Sequence, residues 1–401
     1  MTSEWHEVPL RELVGYISKG IAPSYAEEAS ETTIRVLNQK CNRNFRISYG
    51  DSRLHDTLKK KVPPERYVKP DDILINSTGA GTAGRIAQIE DVPSATTIDG
   101  HMILIRSNGK VTQKFLGYAL KAHQWEVLQL DEGSTGQTEL NRDRLLDEIM
   151  INYPVSFDEQ NAIVGTLESI DRKLIVNKEI NDNLEQQAQS YFQELFVDNA
   201  DPEWAIGTIS DLGTVVGGST PSKAKPEYYT ESGIAWITPK DLSINKSKFV
   251  SHGENDITEL GLKNSSAAIM PEGTVLFSSR APIGYIAIAA GEVTTNQGFK
   301  SVVPKPEIGT PFVYFFLKNT LPVIEGMASG STFKEVSGST MKNVPAVIPD
   351  AETLAKFSDF CAPIFAQQRI LEEQNQSLAT LRDNLLPKLM SGEIDVSAVQ
   401  L

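Results

Sequence analysis

Apolar residues recur every seven positions along one stretch of the chain, and the rest of the sequence is arranged around it. Residues 157–196 are rich in Glu, Gln, Leu and Ile and contain no proline, so they predict a helix of about 35 residues, roughly 50 Å long. A helix of this length with one apolar face needs a partner along it. The stripe is formed by Ile163, Ile170, Asn177, Leu184 and Tyr191, and Leu167, Leu174 and Ile180 flank it.

A second stretch with the same period, residues 352–390, can supply that partner. Two long amphipathic helices separated by one domain's length of chain predict an antiparallel intramolecular coiled coil, in which Asn177 and Asn375 fix the register. Two unrelated surface helices, each packed on its own domain, remain the alternative. The second stripe is formed by Ile364, Leu371, Leu378 and Leu385, with Phe357, Phe360, Leu381 and Leu389 beside it. We assign Ile170, Asn177, Leu184, Tyr191, Ile364, Leu371, Leu378 and Leu385 to the interface of the helix pair and its subunits.

The sequence between the two stripes repeats the sequence before the first one. The matching segments are 5–10 and 204–209, 69–77 and 270–278, 96–100 and 294–298, Gly133-Ser134-Thr135 and Gly330-Ser331-Thr332, and 153–154 and 348–349. The order is preserved, and the spacing drifts only from 201 (270 minus 69) to 195 (348 minus 153). Self-similarity of this kind predicts a tandem duplication of a globular domain followed by a long helix.

Within each half, short β-rich runs are broken by Gly, Pro and Ser, and helical patterns follow at 112–130 and 310–324. Because strands and helices do not alternate regularly, the pattern predicts α+β domains. We divide the chain into a first globular domain (1–156), a first long helix (157–198), a second globular domain (199–350) and a second long helix with a tail (351–401).

Composition and charge narrow the function classes. With 401 residues, of which 40% are hydrophobic, the chain is long enough for two or three domains with cores of their own. Two distant cysteines and five histidines without ligand spacing indicate neither a disulfide framework nor a metal site. The acidic, polar N-terminus is unlike a signal peptide, so we expect a soluble, cytoplasmic protein.

The net charge of −14 argues against a non-specific nucleic-acid coat. One region departs from this balance, because residues 35–69 hold ten basic residues and three acidic ones. Such a patch can follow a phosphate backbone, although a solvated basic loop explains it better when the patch is taken alone.

A glycine-rich segment, Gly79–Gly84, formally matches a dinucleotide-binding loop. The residues after it read as another strand, so no helix N-terminus follows to bind a pyrophosphate, and the duplicate segment keeps only its last glycine. We therefore predict a hairpin or exposed loop. Neither a catalytic triad nor a paired-carboxylate set can be assigned, which favours a binding or adaptor role over an enzyme.

Four motifs together give the chain a family resemblance. They are Gly217–Lys223, Trp236–Leu242, Val275–Gly284 and Leu385–Asp395, and they occur in order within the duplicated frame. In this combination the chain resembles the specificity (S) subunits of type I restriction-modification systems. The globular domains then correspond to the two target-recognition domains of that family.

The resemblance implies a non-catalytic subunit that reads DNA. Each target-recognition domain is expected to read one half of a bipartite, asymmetric target in double-stranded DNA, while the helix pair sets the gap and docks two modification (methyltransferase) subunits. The chain itself is expected to carry no cofactor. S-adenosylmethionine is expected on the modification subunits, and ATP and Mg²⁺ on restriction or translocase subunits that can join them. No membrane partner is expected.

The DNA-binding candidates lie in the basic patch and in loops at strand ends. Arg280 is the strongest single candidate, because arginine is the commonest direct reader of guanine. Turn capping is an equally good explanation for the serines and threonines. The candidates are Lys40, Arg43, Arg46, Asn76, Ser77 and Thr78 in the first domain, and Ser219, Thr220, Lys223, Thr238, Lys240, Ser278, Ser279 and Arg280 in the second.

Two other function classes stay open at this point. A self-contained DNA methyltransferase would methylate DNA without a partner. A coiled-coil scaffold for other proteins would show no sequence-specific DNA binding even with a methyltransferase present. A DNA-binding regulator without modification subunits is a variant of the main interpretation.

Overall fold

The computed structural model describes residues 4–132, 138–330 and 334–399. Most of the echoed triplets, Gly133-Ser134-Thr135 and Ser331-Thr332, therefore lie outside the described residues. The chain divides into two units. Unit 1 consists of Met1–Lys173 and Leu378–Leu401, and unit 2 of Leu174–Ser377.

Unit 1 is built from short strands and from helices that include parts of both long ones. Its strands are β1 (Trp5–Pro9), β2 (Val14–Lys19), β3 (Tyr25–Ala26), β4 (Thr33–Leu37), β5 (Asn42–Arg43), β6 (Arg46–Ile47), β7 (Arg53–Asp56), β8 (Ile73–Asn76), β9 (Ile86–Gln88), β10 (Thr96–Ile98), β11 (Met102–Ser107), β12 (Asp131–Glu132), β13 (Glu139–Leu140) and β14 (Met150–Pro154). Its helices are α1 (Gln113–Ala122), α2 (Gln124–Val127), α3 (Arg142–Glu148), the first part of α4 (Phe157–Gln193) and the last part of α10 (Ala351–Met390).

Unit 2 shares the main strands and the later helices of this succession, with short α-helices added among its early strands. Its strands are β15 (Ala205–Thr208), β16 (Gly213–Gly217), β17 (Tyr229–Thr230), β18 (Ile234–Ile237), β19 (Phe249–Val250), β20 (Asn255–Ile257), β21 (Val275–Ser279), β22 (Ile283–Ala289), β23 (Thr294–Thr295), β24 (Lys300–Pro304) and β25 (Pro345–Ile348). Its helices are the last part of α4, α5 (Ile209–Leu212), α6 (Pro239–Ile244), α7 (Glu259–Lys263), α8 (Thr310–Gly326), α9 (Gly338–Lys342) and the first part of α10 (Ala351–Met390).

The sheets confirm the duplication and the α+β class. One sheet has the order β2-β11-β8-β9 in unit 1 and β16-β24-β21-β22-β19 in unit 2. A second sheet runs β10-β4-β7-β3 in unit 1 and β23-β18-β20-β17 in unit 2, with its first pair parallel in both. A two-stranded sheet, β1-β14 or β15-β25, joins the start of each domain to the strand before its long helix. Matching strands therefore have matching neighbours.

The glycine-rich segment Gly79–Gly84 connects two antiparallel strands, β8 and β9, as predicted. Gly79, Gly81 and Gly84 all have positive φ, which glycine adopts at little cost in such a loop. No helix long and apolar enough to span a membrane occurs in the three described ranges.

Each long helix begins at a side-chain cap. The N–H of Glu159 reaches Ser156 Oγ at 3.4 Å before α4, and the N–H of Thr353 donates to Asp350 Oδ1 at 2.9 Å before α10. α4 ends in a π-helical turn at Glu194–Asp198. Free N–H groups at a helix start are satisfied by such caps, which is why both helices begin just after the strands β14 and β25.

Within unit 2 the two long helices run antiparallel. Asn177 Nδ2 donates to Asn375 Oδ1 at 2.9 Å, while further along α4 Gln368 Nε2 donates to the carbonyl of Asn181 at 3.2 Å. As α4 advances from Asn177 to Asn181, its partner on α10 moves back from Asn375 to Gln368, which is the pattern of two antiparallel helices. Asn375, which the stripe leaves aside, is the direct partner of Asn177 and also donates to the carbonyl of Leu174 at 3.3 Å.

The residues assigned to the helix interface are buried or half-buried, whereas three of the residues expected beside the stripes are exposed. Ile180 is 41% exposed, and Phe360 and Leu381 are each 39% exposed, so the apolar faces are narrower than the sequence indicated. The fully or nearly fully buried members are Ile170, Asn177, Ile364 and Leu371, and the half-buried ones are Leu184, Tyr191, Leu378 and Leu385.

Candidate nucleic-acid interface

In unit 1 three loops meet where parallel strands β4 and β10 end. Parallel strands bring their carboxyl ends to one edge of a sheet. Gln39 follows β4 and His101 follows β10, while Thr78 follows β8, a strand of the other sheet. Thr78 Oγ1 lies 2.8 Å from His101 Nδ1 and 3.3 Å from Gln39 Oε1. We call the set of Gln39, Thr78 and His101 edge 1. The amide of Gln39 and the imidazole of His101 can each donate and accept hydrogen bonds.

Unit 2 builds an equivalent edge from the ends of β18, β23 and β21. The N–H of Ser219 donates to the carbonyl of Thr295 at 2.9 Å, which places the loop after β16 beside β23. Thr220 Oγ1 donates to Gln297 Oε1. Arg280, at the end of β21, lies 3.5 Å from a carboxylate oxygen of Glu335. We call Ser219, Thr220, Thr238, Arg280 and Gln297 edge 2.

The charged candidates differ in whether an acid neutralises them. Among the described residues, the exposed side chains of Lys40, Arg43 and Lys223 have no hydrogen-bond or ion-pair partner. Lys240 instead pairs with Glu254 at 2.6 Å, and this hydrogen bond raises the pKa of Lys240. Arg46 pairs with Glu90 at 2.8 Å. A phosphate can bind the unpaired cations at once but must displace a carboxylate from the paired ones.

Other members of the basic patch hold the fold together. Arg53 stacks on the ring of Tyr25, with its guanidinium carbon 3.3 Å from the ring centroid. Lys60 Nζ donates to the carbonyl of Ala22 at 2.8 Å, and Arg66 donates to that of Gly20 at 3.3 Å. The excess of basic residues in 35–69 is therefore only partly available to a nucleic acid.

Four candidates are fully buried, and the structure corrects their assignment. Asn76 and Ser77 at the end of β8, and Ser278 and Ser279 at the end of β21, are 0% exposed. Their polar atoms bond to the loops around them: Asn76 Nδ2 donates to the carbonyl of Gln39 at 3.2 Å. Burial requires such bonds, because an unpaired buried polar group is costly. These side chains shape the edges and are not free to contact bases.

The serines are bound in the same way. Ser278 Oγ donates to the carbonyl of Pro282 at 2.8 Å, Ser279 Oγ donates to that of Gly298 at 3.1 Å, and Ser77 Oγ reaches that of Gly100 at 3.4 Å. Thr238 forms a capping box at the start of α6: its side chain accepts from the backbone at Asp241, and the Asp241 carboxylate accepts the N–H of Thr238 at 2.7 Å. The turn-capping explanation thus describes Thr238 well.

Sequence reasoning missed Gln39, His101 and Gln297. The signal was present, because Gln297 lies within the echoed segment 294–298 and His101 immediately follows 96–100. What the sequence did not reveal is that β10 and β23 pair in parallel with β4 and β18, which brings their ends together.

A buried ionic cluster attaches the first domain to the long helices inside unit 1. Asp171 on α4 accepts hydrogen bonds from the Tyr118 hydroxyl at 2.9 Å and from Lys121 Nζ at 3.0 Å, both on α1. Arg382 on α10 adds a third contact at 3.1 Å. Burial alone would raise the pKa of Asp171, but these donors and the Lys121 charge lower it below its usual range. The carboxylate therefore stays ionised.

The matching cluster in unit 2 is centred on Glu185. Lys248 Nζ, only 7% exposed as a residue, lies 2.8 Å from Glu185 and 2.8 Å from Gln368 on α10, and 3.5 Å from the centroid of the Phe365 ring. Lys318 Nζ contacts the other oxygen of Glu185 at 2.5 Å. Burial lowers the pKa of Lys248 to about 8.

Glu372 on α10 completes this attachment. It accepts the backbone N–H groups of Lys248 at 2.8 Å and Phe249 at 3.0 Å, where the chain enters β19. The loop between α6 and β19 is therefore fixed to the long helices at Lys248 and Phe249. At its other end it follows α6, the helix that contains Lys240. No cluster of His, Cys, Asp or Glu suited to a metal ion occurs among the described residues.

Comparisons with known proteins agree with this double architecture. A sequence model described as the type I restriction modification DNA specificity domain matches the chain twice, at residues 2–186 and 202–381. The type I restriction enzyme MjaIX specificity subunit of Methanocaldococcus jannaschii is 39% identical over 194 residues, covering 46% of this chain and 45% of that protein. The HindI specificity subunit of Haemophilus influenzae is 27% identical over 194 residues, covering 48% and 42%.

The matched part of the chain thus spans less than half the length of these two relatives. A solved structure extends the likeness to the whole chain. The S subunit of a type I restriction-modification system from M. genitalium matches with a TM-score of 0.62 at 17% identity, covering 97% of this chain and 96% of that one. At this identity the match shows a shared fold.

Proposed function

Because this chain belongs to the family of type I restriction modification DNA specificity domains, we propose that it is the DNA-reading subunit of a type I restriction-modification complex. The observation that carries the proposal is the double match to a DNA specificity domain, at 2–186 and 202–381. It coincides with two sheet edges of the same topology, each lined by side chains that can bond to base edges. The subunit itself is non-catalytic.

In this proposal each globular domain reads one half of a bipartite DNA target. Lys40 and Arg43 beside edge 1, and Lys223 beside edge 2, bind phosphates and position the domains. Gln39 and His101 in the first domain, and Gln297 and Arg280 in the second, contact bases. Because the two edges carry different side chains, the two half-sites differ and the target is asymmetric.

The long helices set the distance between the half-sites. α4 has 37 residues and α10 has 40, so each is roughly 55–60 Å long. Two modification subunits dock around the helices and bring S-adenosylmethionine, which supplies the methyl group. Restriction or translocase subunits, which use ATP and Mg²⁺, join the same complex, and the complex works in the cytoplasm, where the DNA lies.

Deletion and complementation of the gene, followed by long-read methylation sequencing, test this function. We expect one split, asymmetric adenine motif to be methylated in the native strain, to disappear on deletion and to return on complementation. An unchanged methylome in a strain that expresses the gene would contradict the proposal. Methylation of DNA by the purified chain alone would instead favour a self-contained methyltransferase.

A further inference from the structure

Unit 2 has an open apolar groove of about 380 Å³ at the end of α4. Its floor is aromatic, and its rim includes apolar side chains that face solvent. Ile206 is 83% exposed, Val197 42% and Val347 40%. Exposed aliphatic groups beside an aromatic floor are typical of a surface that is covered by another chain. The aromatic floor consists of Phe192, Phe196, Trp204, Phe312 and Phe316.

The matching place in unit 1 is covered by the chain's own tail. At the helix spacing of 194 (357 minus 163), Leu386 and Met390 stand where Phe192 and Phe196 stand in unit 2. After α10 the tail turns back: the N–H of Ile394 donates to the carbonyl of Lys388 at 3.2 Å. Three apolar residues of the tail, Ile394, Val396 and Val399, then pack on the core of unit 1.

A glycine lets the tail approach this closely. Gly392 has a φ of +75°, and a Cβ placed on it would lie 2.9 Å from the Trp5 ring. The tail therefore lies flat against the residue that opens β1. Unit 1 thus provides a template for how a short β-branched segment, with a 3₁₀ turn at Val396–Ala398, covers this end of the fold.

The corresponding stretch of unit 2 is too short and too polar to do the same. The chain passes from Asp198 to Trp204 through Asn-Ala-Asp-Pro-Glu, folded back on itself, since the N–H of Trp204 donates to the carbonyl of Asp201 at 3.1 Å. Trp204 Nε1 donates to Asp350 Oδ2 at 3.0 Å. The groove is consequently left open, and three exposed acidic residues, Asp198, Glu203 and Asp350, directly adjoin its lining residues Val197, Trp204 and Pro349 in the sequence.

We propose that this groove is the docking site for a short segment of a partner protein that folds like the tail, in which β-branched residues spaced like Ile394, Val396 and Val399 are flanked by Lys or Arg. The spacing follows from the template in unit 1, and the basic flanks follow from the acidic border. The tail of a second copy of this chain fits less well, because it carries Glu393 and Asp395. The proposal does not depend on DNA reading, since none of the proposed DNA-contacting residues lines the groove.

Fluorescence anisotropy with the full-length protein tests the proposal. The probe is a labelled peptide of residues 391–401 carrying Glu393→Lys and Asp395→Lys. We expect saturable binding at least ten-fold tighter than that of the native tail peptide. A charge-matched peptide with Ile394→Ser, Val396→Ser and Val399→Ser should not bind, because charge alone does not fill the groove.

Two protein variants locate the binding. Ile206→Asp should weaken binding of the basic peptide at least ten-fold, whereas Leu58→Asp, at a position 79% exposed in the first domain, should leave it unchanged. Both positions are at the surface, and thermal unfolding checks that both variants fold. Absence of saturable binding, equal binding by Ile206→Asp, or equally tight binding of the native tail peptide would each overturn the proposal.

Discussion

Leu386 and Met390 in unit 1 stand where Phe192 and Phe196 stand in unit 2, and Ile163 stands where Phe357 stands. The strands around them keep the same neighbours in both units. The core of unit 1 is mainly aliphatic, while that of unit 2 also contains a cluster of aromatic rings that contact one another. The comparison shows that strand order can persist while the side chains that fill the core are exchanged, provided the total volume fits.

The two ionic clusters differ in a similar way. In each unit a Tyr and a Lys from the domain's helix contact a carboxylate of α4, at Asp171 or at Glu185. The rest of the cluster differs: unit 1 adds Arg382 from α10, and unit 2 adds the buried Lys248 from the domain itself. The attachment of each domain to the helices is thus common to both, and its remaining partners are specific to each.

The largest expected effect is on stability, and it tests the comparison of the two cores. Phe357 is fully buried, and its ring centre lies within about 6 Å of those of Phe192, Phe196 and Phe315. We expect Phe357→Ala to lower the free energy of unfolding by about 4 kcal/mol and Ile163→Ala, its counterpart, by about 3 kcal/mol. Urea denaturation followed by circular dichroism measures both.

Leu58→Ala is the control for that pair, because Leu58 is 79% exposed and its loss should fall within about 0.5 kcal/mol. A loss below 1 kcal/mol for Phe357→Ala would show that the aromatic cluster is not the core of unit 2.

The next effect concerns the ionic clusters. Lys248→Met removes a hydrogen bond to a buried carboxylate but leaves Lys318 on Glu185, so we expect a loss of about 2 kcal/mol at pH 7. Lys121→Met should cost a similar amount in unit 1, where Arg382 remains. Lys178→Met, at an exposed position of α4, is the control. If both buried variants matched that control, the clusters would not attach the domains to the helices.

Lys248 also predicts a pH dependence. Its pKa is about 8 in the folded protein and near its ordinary value of 10.5 in the unfolded chain. The unfolded state therefore binds more protons between pH 8 and 10.5, and this group's contribution to the free energy of unfolding rises with pH over that range. The stability difference between wild type and Lys248→Met should grow in favour of wild type from pH 8 to pH 10. A difference that shrinks over this range would contradict the assignment.

A smaller effect is expected on DNA recognition, and it tests whether edge 1 and edge 2 read different half-sites. Gln297→Ala should relax recognition at one position in one half-site by about ten-fold, because in the proposed interface Gln297 contacts a base edge. Gln39→Ala should relax the other half-site by a similar factor. DNA-binding assays of the assembled complex on single-base variants measure this, with Gln187→Ala on the exposed face of α4 as control. Relaxation of the same half-site by both variants would exclude a division between the edges.

The smallest effect concerns the unpaired cations. Arg43→Ala should lower the slope of log affinity against log salt concentration by about 1, equally for all sequences. Lys240→Ala should change that slope less, because Glu254 already neutralises Lys240. Salt titrations of DNA binding give both slopes, and equal changes for the two variants would show that the ion pair opens on binding.

Much of the fold was predictable because its signals are local. The seven-residue stripe that includes Ile170 and Leu184 indicated a long paired helix, and the echoed segments indicated the duplication that the sheets confirm. The loop of Gly79–Gly84 was recognised as a hairpin connection from the strand pattern after it. Such features depend on residues close together in the sequence.

The rest depended on contacts between distant residues. Asn76 and Ser278 looked like loop residues, but their strands are central ones, so both side chains are buried. Lys248 and Glu185 lie 63 positions apart, and no sequence pattern joins them. Gln297 became a candidate only when the parallel pairing of β18 and β23 placed it at edge 2. In these examples the position of a side chain depends on which distant segments pair or pack together, and the local sequence does not show this.

The most direct test of the central claim, that each domain reads its own half-site, replaces residues 199–350 with a second copy of residues 1–156. Long-read methylation sequencing of a strain carrying only this variant should reveal a symmetric motif made of two inverted copies of the half-site read by the first domain. The original asymmetric motif, or loss of any motif from a variant that stays soluble and bound to the modification subunits, would contradict the claim.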